Sequence, residues 1–369
     1  MVGTVQFGAL AACIVLFVPM GLAGYHLSRN KMLFFSGALF ISLAIGVHLT
    51  PYFPSVTNFV SSFSSSVVVL ENHNSCFSFL HEIVFDVVEK PQLVSIDDNS
   101  NVSASDFDKS WTWAKSTPVI ACGFQKLGHS DASDLLNGSW VVVAGDSQAR
   151  LFVVSLLELV LEPGEMELVR GDLFKRHSDY QTVIDKIGVK LDFVWAPYTA
   201  NLTSLLMEYK RNRRYPDVLV MGTGLWDMLH INNASDYGVS LGLARKLVML
   251  LSPFSSEFGN DGPVTGSISI QSPHMFWLGM PTLVESMLNT EEKREKMKFA
   301  VRNAYERELF ESKLLRQNGG PLLLLDINSL SRNCGGRCTV DGMHYDGVVY
   351  EAAIHVMLNA LLIESQQRL

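Results

Sequence analysis

Short apolar runs alternate with helix-patterned segments from about residue 116 to the C-terminus. The runs are Trp140–Ala144, Leu191–Trp195, Asp217–Met221, Met275–Leu278 and Leu322–Ile327. Each run is followed by a helical pattern: these cover residues 151–161, 202–212, 238–251 and 348–362, and a long charged helix follows Met275–Leu278. Strands that alternate with helices form a mostly parallel sheet covered on both faces. The pattern therefore predicts an α/β fold whose ligands bind at the carboxyl ends of the strands.

One long charged helix is predicted between residues 290 and 319. Thr290 suits the N-cap position, and negative charge on Glu291 and Glu292 is favourable in the first turn. Gly319 suits the position just after the helix. Apolar residues recur between these ends at helical spacing, at Met297, Val301, Ala304 and Leu315.

Two apolar stretches with almost no charge open the chain, at residues 7–25 and 32–49. Each is near the ~20 residues that a helix needs to cross a bilayer. The loop between them holds the basic residues of this region, Arg29 and Lys31, so the positive-inside rule places that loop in the cytosol. We expect residues 1–50 to be a membrane anchor and the rest of the chain to be lumenal. A cleaved signal peptide, which would lack the usual positive n-region, and a buried hairpin of a soluble core are the alternatives.

The segment after the anchor has the composition of a stem. Residues 51–75 contain two prolines and a serine run, and residues 95–110 are a second polar stretch that predicts an irregular loop. We therefore divide the chain into the anchor, a stem and irregular segment over residues 51–115, and an α/β domain over residues 116–369.

Composition and charge exclude two classes of protein. The chain is 48% hydrophobic with a mean hydropathy of +0.19, and the excess lies in the two N-terminal stretches. This excludes a disordered chain and argues against a purely cytosolic enzyme. The residues after the anchor carry 27 of the 29 basic side chains and all 37 acidic ones, a net charge of −10. A domain this acidic is not expected to bind nucleic acid by neutralising phosphates.

Cysteines and sequons support a lumenal domain. Cys13 lies in the first apolar stretch, and the other four cysteines form an even set that could be disulfide-bonded: Cys76, Cys122, Cys334 and Cys338. Four cysteines allow three pairings, the last two could close a small loop, and free buried thiols are the alternative. Four Asn-x-Ser/Thr sequons give mild support for a glycoprotein: Asn101, Asn137, Asn201 and Asn233.

A serine follows the first apolar run directly. The sequence Gly145-Asp146-Ser147 places it at the end of a strand and the start of a helix. Gly145 permits a tight turn, and the N–H groups of a helix N-terminus can stabilise an oxyanion. An N-cap serine is the structural alternative. The strand–turn–helix context favours Ser147 as a nucleophile.

A nucleophilic serine needs a base, usually a histidine that is oriented by a carboxylate. Asp341 and His344 can supply both from one loop between the last strand and the last helix. Asp227 and His230 have the same spacing, but that pair runs into the segment that follows it. Position at the end of the last strand favours Asp341 and His344, with two solvated loop residues as the alternative.

The sequence gives no indication of metal or nucleotide chemistry. No cluster of His, Cys or Asp has zinc-site spacing, and no glycine-rich phosphate-binding fingerprint follows a strand. We therefore predict no metal ion and no cofactor.

Six blocks, covering roughly residues 138–363, resemble a known family. They read WVVVAGDSQAR, LDFVWAPY, YPDVLVMGTGLWD, MFWLGMP, LLLLDINSLS and DGMHYDGVVYEAAIHVMLNALL. Their order is similar to that of the plant polysaccharide O-acetyltransferases of the trichome birefringence-like group and of the related sialic-acid acetyltransferase domain. Chain length, the N-terminal anchor and the GTGLWD block narrow the resemblance to one member of this group.

The resemblance implies an SGNH-like (GDSL-type) three-layer α/β/α domain in the Golgi lumen that acetylates wall polysaccharides such as xyloglucan and xylan. It matches Ser147, Asp341 and His344 to the family's catalytic serine, aspartate and histidine. Acetyl-CoA is cytosolic, so the acetyl donor would have to be relayed, for example by a membrane transporter.

Five further residues are candidates for binding the oxyanion or the substrate: Gly145, Asp146, Arg150, Gly222 and Trp226. Arg150 matches an arginine of the family's first block. Many relatives carry Asn in the third block, where Gly222 can donate only through its backbone. Aromatic residues near strand ends can stack on sugar rings or pack in the core: Trp195, Tyr198, Trp226 and Trp277. His177 is a further, less specific candidate.

Two other functions are open at this point. The same three catalytic residues would serve a lumenal carbohydrate acetylesterase, in which water takes the acetyl group in place of a sugar hydroxyl. A non-catalytic partner of the acetylation machinery is the third possibility, although such a partner has no need of Ser147, Asp341 and His344.

Overall fold

The computed structural model describes residues 76–90, 107–175, 177–251 and 273–367. The predicted membrane spans, the proline- and serine-rich stem and the sequon at Asn101 lie outside these residues. All of the described residues belong to one structural unit, Ser75–Leu369.

Eight strands are present in the described residues: β1 Ile83–Glu89, β2 Phe107–Trp113, β3 Trp140–Gly145, β4 Tyr180–Ile184, β5 Val189–Trp195, β6 Val218–Gly222, β7 His274–Leu278 and β8 Leu323–Leu325. Six of them form one sheet in the order β4-β5-β3-β6-β7-β8. All neighbours from β5 to β8 are parallel, and β4 is an antiparallel edge strand. The predicted mostly parallel sheet is confirmed, with β3 near its centre.

Helices cover both faces of this sheet. In chain order they are α1 Thr117–Cys122, α2 His129–Leu136, α3 Ser147–Val160, α4 Pro163–Leu173, α5 Thr199–Asn212, α6 Ala234–Met249, α7 Glu291–Lys296, α8 Phe299–Glu311, α9 Ile327–Cys334 and α10 Gly347–Gln367. Successive side chains of a strand point to opposite faces. In β3, Val141 and Val143 therefore enter one apolar core, with residues of α2, α3, α9 and α10. Val142 and Ala144 enter the other, with residues of α5, α6 and α8. The result is the expected three-layer α/β/α domain.

The prediction of one long helix between residues 290 and 319 is wrong, because the structure has two separate helices there. Thr290 does cap a helix, since its hydroxyl accepts a hydrogen bond from the Lys293 N–H at 3.2 Å. That helix, α7, ends at Lys296, and Lys298 is extended. The new helix α8 begins because Glu285 Oε1 accepts the Phe299 N–H at 2.6 Å, which satisfies a free donor at its N-terminus. Gly319 follows a separate 3₁₀ turn, Arg316–Asn318.

The last apolar run also ends earlier than predicted. Strand β8 stops at Leu325, and Ile327 already belongs to α9. Asp326 causes the change of structure, because its carboxylate accepts the Ser329 N–H at 3.1 Å and caps the helix. The final helix, α10, is long and apolar enough to cross a membrane, but 78% of that stretch is buried inside this domain. It packs against α3 as a core helix.

An antiparallel ribbon, β1 and β2, replaces the irregular segment expected upstream of residue 116. Residues from 107 onward, predicted to be loop, form β2, where Trp111 is 2% exposed. The unit that contains the ribbon begins at Ser75, whereas the sequence predicts a domain that begins at 116. Burial alternates from residue to residue along most of both strands, which is the pattern typical of a sheet with one face buried.

The four cysteines of the described residues form two disulfides. Cys76 pairs with Cys122 and ties the start of the ribbon segment to α1. Cys334 pairs with Cys338 and closes a small loop between α9 and the segment that leads to Asp341. The sequence allowed three pairings, and the tertiary structure selects this one.

Candidate active site

Ser147 lies at the carboxyl end of the central strand. Strand β3 ends at Gly145, and Ser147 is the first residue of α3. Asp146 caps that helix, since its Oδ1 accepts the Gln148 N–H at 2.9 Å. The hydroxyl of Ser147 therefore sits at a helix N-terminus, where the dipole stabilises negative charge. The structure brings the strand, turn and helix together as the sequence predicts.

Asp341 and His344 come from the loop between α9 and α10 and reach Ser147 across the sheet edge. His344 Nε2 is 2.8 Å from Ser147 Oγ, and His344 Nδ1 is 2.6 Å from Asp341 Oδ2. The other carboxylate oxygen, Oδ1, accepts the N–H groups of Met343 at 2.9 Å and of His344 at 2.7 Å. The side chains of His344 and Asp341 are 33% and 30% exposed, so the arrangement is open to a substrate.

These contacts determine the ionisation of Asp341. Partial burial favours its neutral form, but the hydrogen bonds from the His344 ring and from two backbone N–H groups outweigh burial and hold the pKa of Asp341 below its usual value. Asp341 is therefore a carboxylate that binds the Nδ1–H of the imidazole. Nε2 is left to accept the proton of Ser147 Oγ, which is the arrangement that activates a serine.

The loop that carries His344 is braced from several sides. Thr339 donates its hydroxyl to the His344 carbonyl at 2.7 Å and accepts the Gly342 N–H at 3.0 Å. The Cys334–Cys338 disulfide precedes this turn, and Lys109 of β2 forms an ion pair with Asp346. The ribbon that the sequence did not predict thus contacts the loop that carries the base.

Gln148 links the two halves of the site, and the sequence patterns did not identify it. Its Nε2 donates to the Met343 carbonyl at 3.2 Å, and its Oε1 accepts the hydroxyl of Tyr350 from α10. Gln148 is buried next to the nucleophile, and Met343 is next to the base. The available signal was a glutamine directly after the candidate nucleophile, because an amide that the fold buries there requires partners.

Gly145 and Gly222 face each other at the ends of β3 and β6 and are required there by close packing. A Cβ on Gly145 would lie 2.5 Å from the Gly222 carbonyl oxygen, and a Cβ on Gly222 would lie 2.5 Å from the Leu278 carbonyl oxygen. Both glycines are therefore fixed by the approach of neighbouring backbones. A role of the Gly222 backbone in binding an oxyanion stays a prediction.

Arg150 lies one helical turn after Ser147, and its side chain packs against residues of β5. Its guanidinium is 5.0 Å from the ring centroid of Trp195 and 5.2 Å from that of Phe193, and it donates to the Ser178 carbonyl at 3.3 Å. The residue is 8% exposed, and burial lowers its pKa from the ordinary value. The structure therefore places Arg150 against aromatic rings, and among the described residues it forms no ion pair.

Five aromatic side chains form a cluster at the carboxyl ends of β5 and β6, which we call the aromatic wall. Trp226 lies among the other four, with ring centroids 5.0 to 5.9 Å away. The members are His177, Trp195, Tyr198, Trp226 and His230. Trp277, the remaining strand-end aromatic residue that the sequence indicated, is 1% exposed and belongs to the core.

Asp227 and His230 do not pair with each other, although their spacing repeats that of Asp341 and His344. They lie in a π-helical turn, Asp227–Ile231, a type of turn that is frequent at functional sites. The carboxylate of Asp227 is buried and accepts hydrogen bonds from the N–H and hydroxyl of Thr199, at 3.3 and 3.4 Å. His230 is exposed, and its Nδ1 is 3.2 Å from the Tyr198 hydroxyl.

Two buried carboxylates lie beneath the site. Burial raises the pKa of Asp146 to about 6, and burial likewise raises the pKa of Asp227 to about 6. The charge of Asp227 adds to the effect of burial on the pKa of Asp146. The folded protein therefore prefers both groups protonated more than the unfolded chain does.

We expect the substitution Asp227→Asn to reduce the dependence of stability on pH. A pKa raised in the folded state gives stability that is fully present below the unfolded pKa of 3.8 and is lost as the pH rises through about 6. A difference of about two pH units corresponds to about 3 kcal/mol. The free energy of unfolding, measured with urea near pH 4 and near pH 7, should therefore fall more between these pH values for the unsubstituted protein than for Asp227→Asn. Asp185→Asn, at an exposed turn, is the control, and equal losses in all three proteins would contradict this prediction.

No family model matches the chain. Among solved structures, the chain is similar to LAE5, an alpha/beta hydrolase from the metagenome of Lake Arreo, Spain, with 15% identity and a TM-score of 0.33 over 62% of this chain and 96% of that one. It is also similar to a catalytic mutant of Axe2, an acetylxylan esterase from Geobacillus stearothermophilus, with 13% identity and a TM-score of 0.32 over 66% and 95%. TM-scores this low carry no argument, so the fold assignment rests on the layers and strand order of this chain.

A curated relative gives a much stronger match. Protein ALTERED XYLOGLUCAN 9 of Arabidopsis thaliana is 58% identical to this chain over 100% of both chains. The prediction that one member of the plant group is especially similar is confirmed. Identity at this level over the whole length shows common descent, and the chain belongs to the family of Protein ALTERED XYLOGLUCAN 9.

Proposed function

We propose that this protein is an O-acetyltransferase that acetylates a cell-wall polysaccharide through an acetyl-serine intermediate on Ser147. One observation carries the proposal, the continuous chain of hydrogen bonds from Ser147 Oγ through the His344 imidazole to Asp341. The name of the relative, which refers to an altered xyloglucan, supports a cell-wall glycan as the acceptor.

In the first step, Ser147 Oγ attacks the carbonyl carbon of the acetyl donor while His344 Nε2 takes the hydroxyl proton. Asp341 stabilises the imidazolium that results, because its carboxylate binds the Nδ1–H. The tetrahedral intermediate collapses and expels the rest of the donor, which receives the proton from His344. Ser147 is then acetylated and His344 is neutral again.

The second step reverses the proton transfers. A sugar hydroxyl gives its proton to His344 Nε2 and attacks the acetyl carbonyl. The bond to Ser147 Oγ breaks, and the serine regains its proton from the imidazolium. N–H groups at the start of α3 and the backbone of Gly222, beside Gly145 at the sheet edge, are the candidate donors to the oxyanion in both steps.

The same proposal includes the compartment. Two disulfides in the described residues suit an oxidising environment, and the apolar stretches at 7–25 and 32–49 suit a membrane anchor. We therefore place the α/β domain in the lumen of the Golgi, with the acetyl group relayed across the membrane by a transporter. Water in place of the sugar hydroxyl would make the protein an acetylesterase, so the product decides between the two reactions.

The full chain, purified in detergent, tests the proposal when it is incubated with a small acetyl ester, with and without an oligosaccharide acceptor. Intact mass and peptide mapping should find one acetyl group on Ser147, and Ser147→Ala should carry none. Ser204→Ala removes an exposed serine of α5 and should be acetylated like the unsubstituted protein. Acetylated oligosaccharide as product would support transfer, and free acetate alone would support an esterase. A folded protein with no adduct and no acetate release would favour the non-catalytic partner.

A further inference from the structure

The aromatic wall adjoins the nucleophile through the sheet register. Trp195, the last residue of β5, is paired with Gly145, which precedes Ser147 by two residues. Gly145 is paired on its other side with Gly222, the last residue of β6, and the segment after β6 leads to Trp226. Because these strands are parallel, their carboxyl ends meet at one edge. The wall therefore borders the position at which an acetyl-serine would form.

The wall is open to solvent in a way that aromatic core residues are not. Trp111 and Trp277 are 2% and 1% exposed, whereas Trp195, Tyr198 and Trp226 are half-buried. His177 and His230, at its margin, are exposed. Aromatic side chains normally contribute by burying their area, and rings that remain accessible together beside a polar site mark a ligand surface.

Contacts with neighbouring residues hold the aromatic wall in place. Arg150 packs on the Trp195 ring and is buried, and no carboxylate of the described residues lies within ion-pair distance of it. Asp179 Oδ1 accepts the backbone N–H of Trp195 at 2.7 Å. Asp227 binds Thr199, which joins the two segments that carry Tyr198 and Trp226. A wall fixed in this way loses little conformational entropy when a ligand binds.

We propose that the aromatic wall is the acceptor site and that it binds the pyranose rings of a neutral glycan. This inference rests on the proposed function for the role of the bound glycan, but binding itself can be measured without any reaction. A pyranose ring presents an apolar C–H face and a rim of hydroxyls. The wall presents partly exposed aromatic rings together with the hydrogen-bonding Tyr198 hydroxyl and His230 ring. This combination of aromatic rings and hydrogen-bonding groups suits the apolar face and the hydroxyl rim of such a sugar.

Charge favours a neutral glycan over an anionic one. Arg150, whose guanidinium packs against Phe193 and Trp195, is only 8% exposed. Asp179, which is exposed, adds negative charge beside Trp195. A uronate oligomer would therefore meet the Asp179 carboxylate, while the guanidinium of Arg150 is buried and held against aromatic rings.

Calorimetry on the full chain in detergent would test the proposal with three probes: cellohexaose, xylohexaose and an oligogalacturonate of the same length. We expect at least one neutral probe to bind and the oligogalacturonate to bind at least about ten-fold more weakly. The substitution Trp226→Ala should weaken binding of the neutral probe by about ten-fold or more, which corresponds to 1.4 kcal/mol. Trp226→Phe should restore part of the affinity because a ring face is present again.

The control is Trp140→Ala, at the opposite end of β3 and outside the site. Trp140 donates its Nε1–H to Asp192, and Lys190 still pairs with Asp192 when the indole is removed. This variant should bind the probe like the unsubstituted protein. If Trp226→Ala does not fold, Tyr198→Phe and His230→Ala replace it, because they change a hydroxyl and an exposed ring.

Three results would overturn the proposal: no binding of any neutral probe, equal or tighter binding of the oligogalacturonate, or unchanged affinity in folded Trp226→Ala. In a transfer assay, Trp226→Ala should raise the acceptor KM more than it lowers kcat. Failure of the proposed function is recognised separately, since it appears as absence of the acetyl group on Ser147 in the unsubstituted protein, whatever the glycan affinity is.

Discussion

The variant His344→Gln is expected to form the acetyl-enzyme more slowly than the unsubstituted protein by roughly 10⁶-fold. Glutamine keeps the size and polarity of the side chain but cannot accept the proton of Ser147 Oγ, from which His344 Nε2 is 2.8 Å away. Asp341→Asn should cost less, roughly 10⁴-fold, because the base remains while the carboxylate that fixes its tautomer is lost. Single-turnover kinetics with a small acetyl ester measure both effects.

His129→Gln is the matched control for the histidine substitution. His129 lies in α2, half of its side chain is exposed, and its ring contacts the Leu159 carbonyl at 3.0 Å. The His129→Gln variant should acetylate Ser147 at the rate of the unsubstituted protein. Acetylation of Ser147 in folded His344→Gln at a rate close to that of the control would show that His344 is not the base.

Removal of the Cys76–Cys122 disulfide is expected to have the largest effect on stability. The two residues are 46 positions apart, and the entropy of closing a loop of that length corresponds to about 4 kcal/mol of the free energy of unfolding. The bond also fixes the start of the segment that forms β1 and β2, whose Lys109 contacts Asp346 beside the His344 loop. Cys76→Ala with Cys122→Ala should therefore lower both stability and activity, as measured by urea unfolding and by acetylation of Ser147.

The second disulfide provides the comparison. Cys334 and Cys338 are four positions apart, so the same relation gives only about 2 kcal/mol for the pair. Its removal should affect activity more than stability, because Thr339 and Asp341 follow it directly. An unfolding free energy that falls equally in both double variants would contradict the assignment of the ribbon's stability to the Cys76–Cys122 bond.

Local patterns predicted most of the central sheet. The apolar runs WVVVA and DVLVM are too short for helices and too apolar for a surface strand, and they form β3 and β6 with residues buried on both faces. Ser147, Asp341 and His344 were also identified from sequence, because a serine between a strand and a helix and an Asp-x-x-His loop at the last strand are local signals. That they meet is a result of parallel strands ending at one edge.

Other features depended on contacts between distant segments. Glu285, which lies upstream of α7, starts α8 and so divides a helix that appeared continuous in its own apolar pattern. The ribbon is stable because it packs Trp111 against α10 and is tied to α1 through Cys76, and neither partner is visible in its own short strands. Helix and strand propensities describe local preferences, which tertiary contacts override.

The sequence by itself determined the layers, the order of the five parallel strands in the chain and the three residues proposed for catalysis, because these follow from local periodicity and from spacing near strand ends. The tertiary structure alone decided the disulfide pairing, the positions of Gln148 and Arg150, and the assembly of the aromatic wall. The physical reason is that burial and hydrogen bonding of a side chain depend on which segments fold beside it. Trp226 and Trp277 have similar places near strand ends, and only packing leaves one accessible and buries the other.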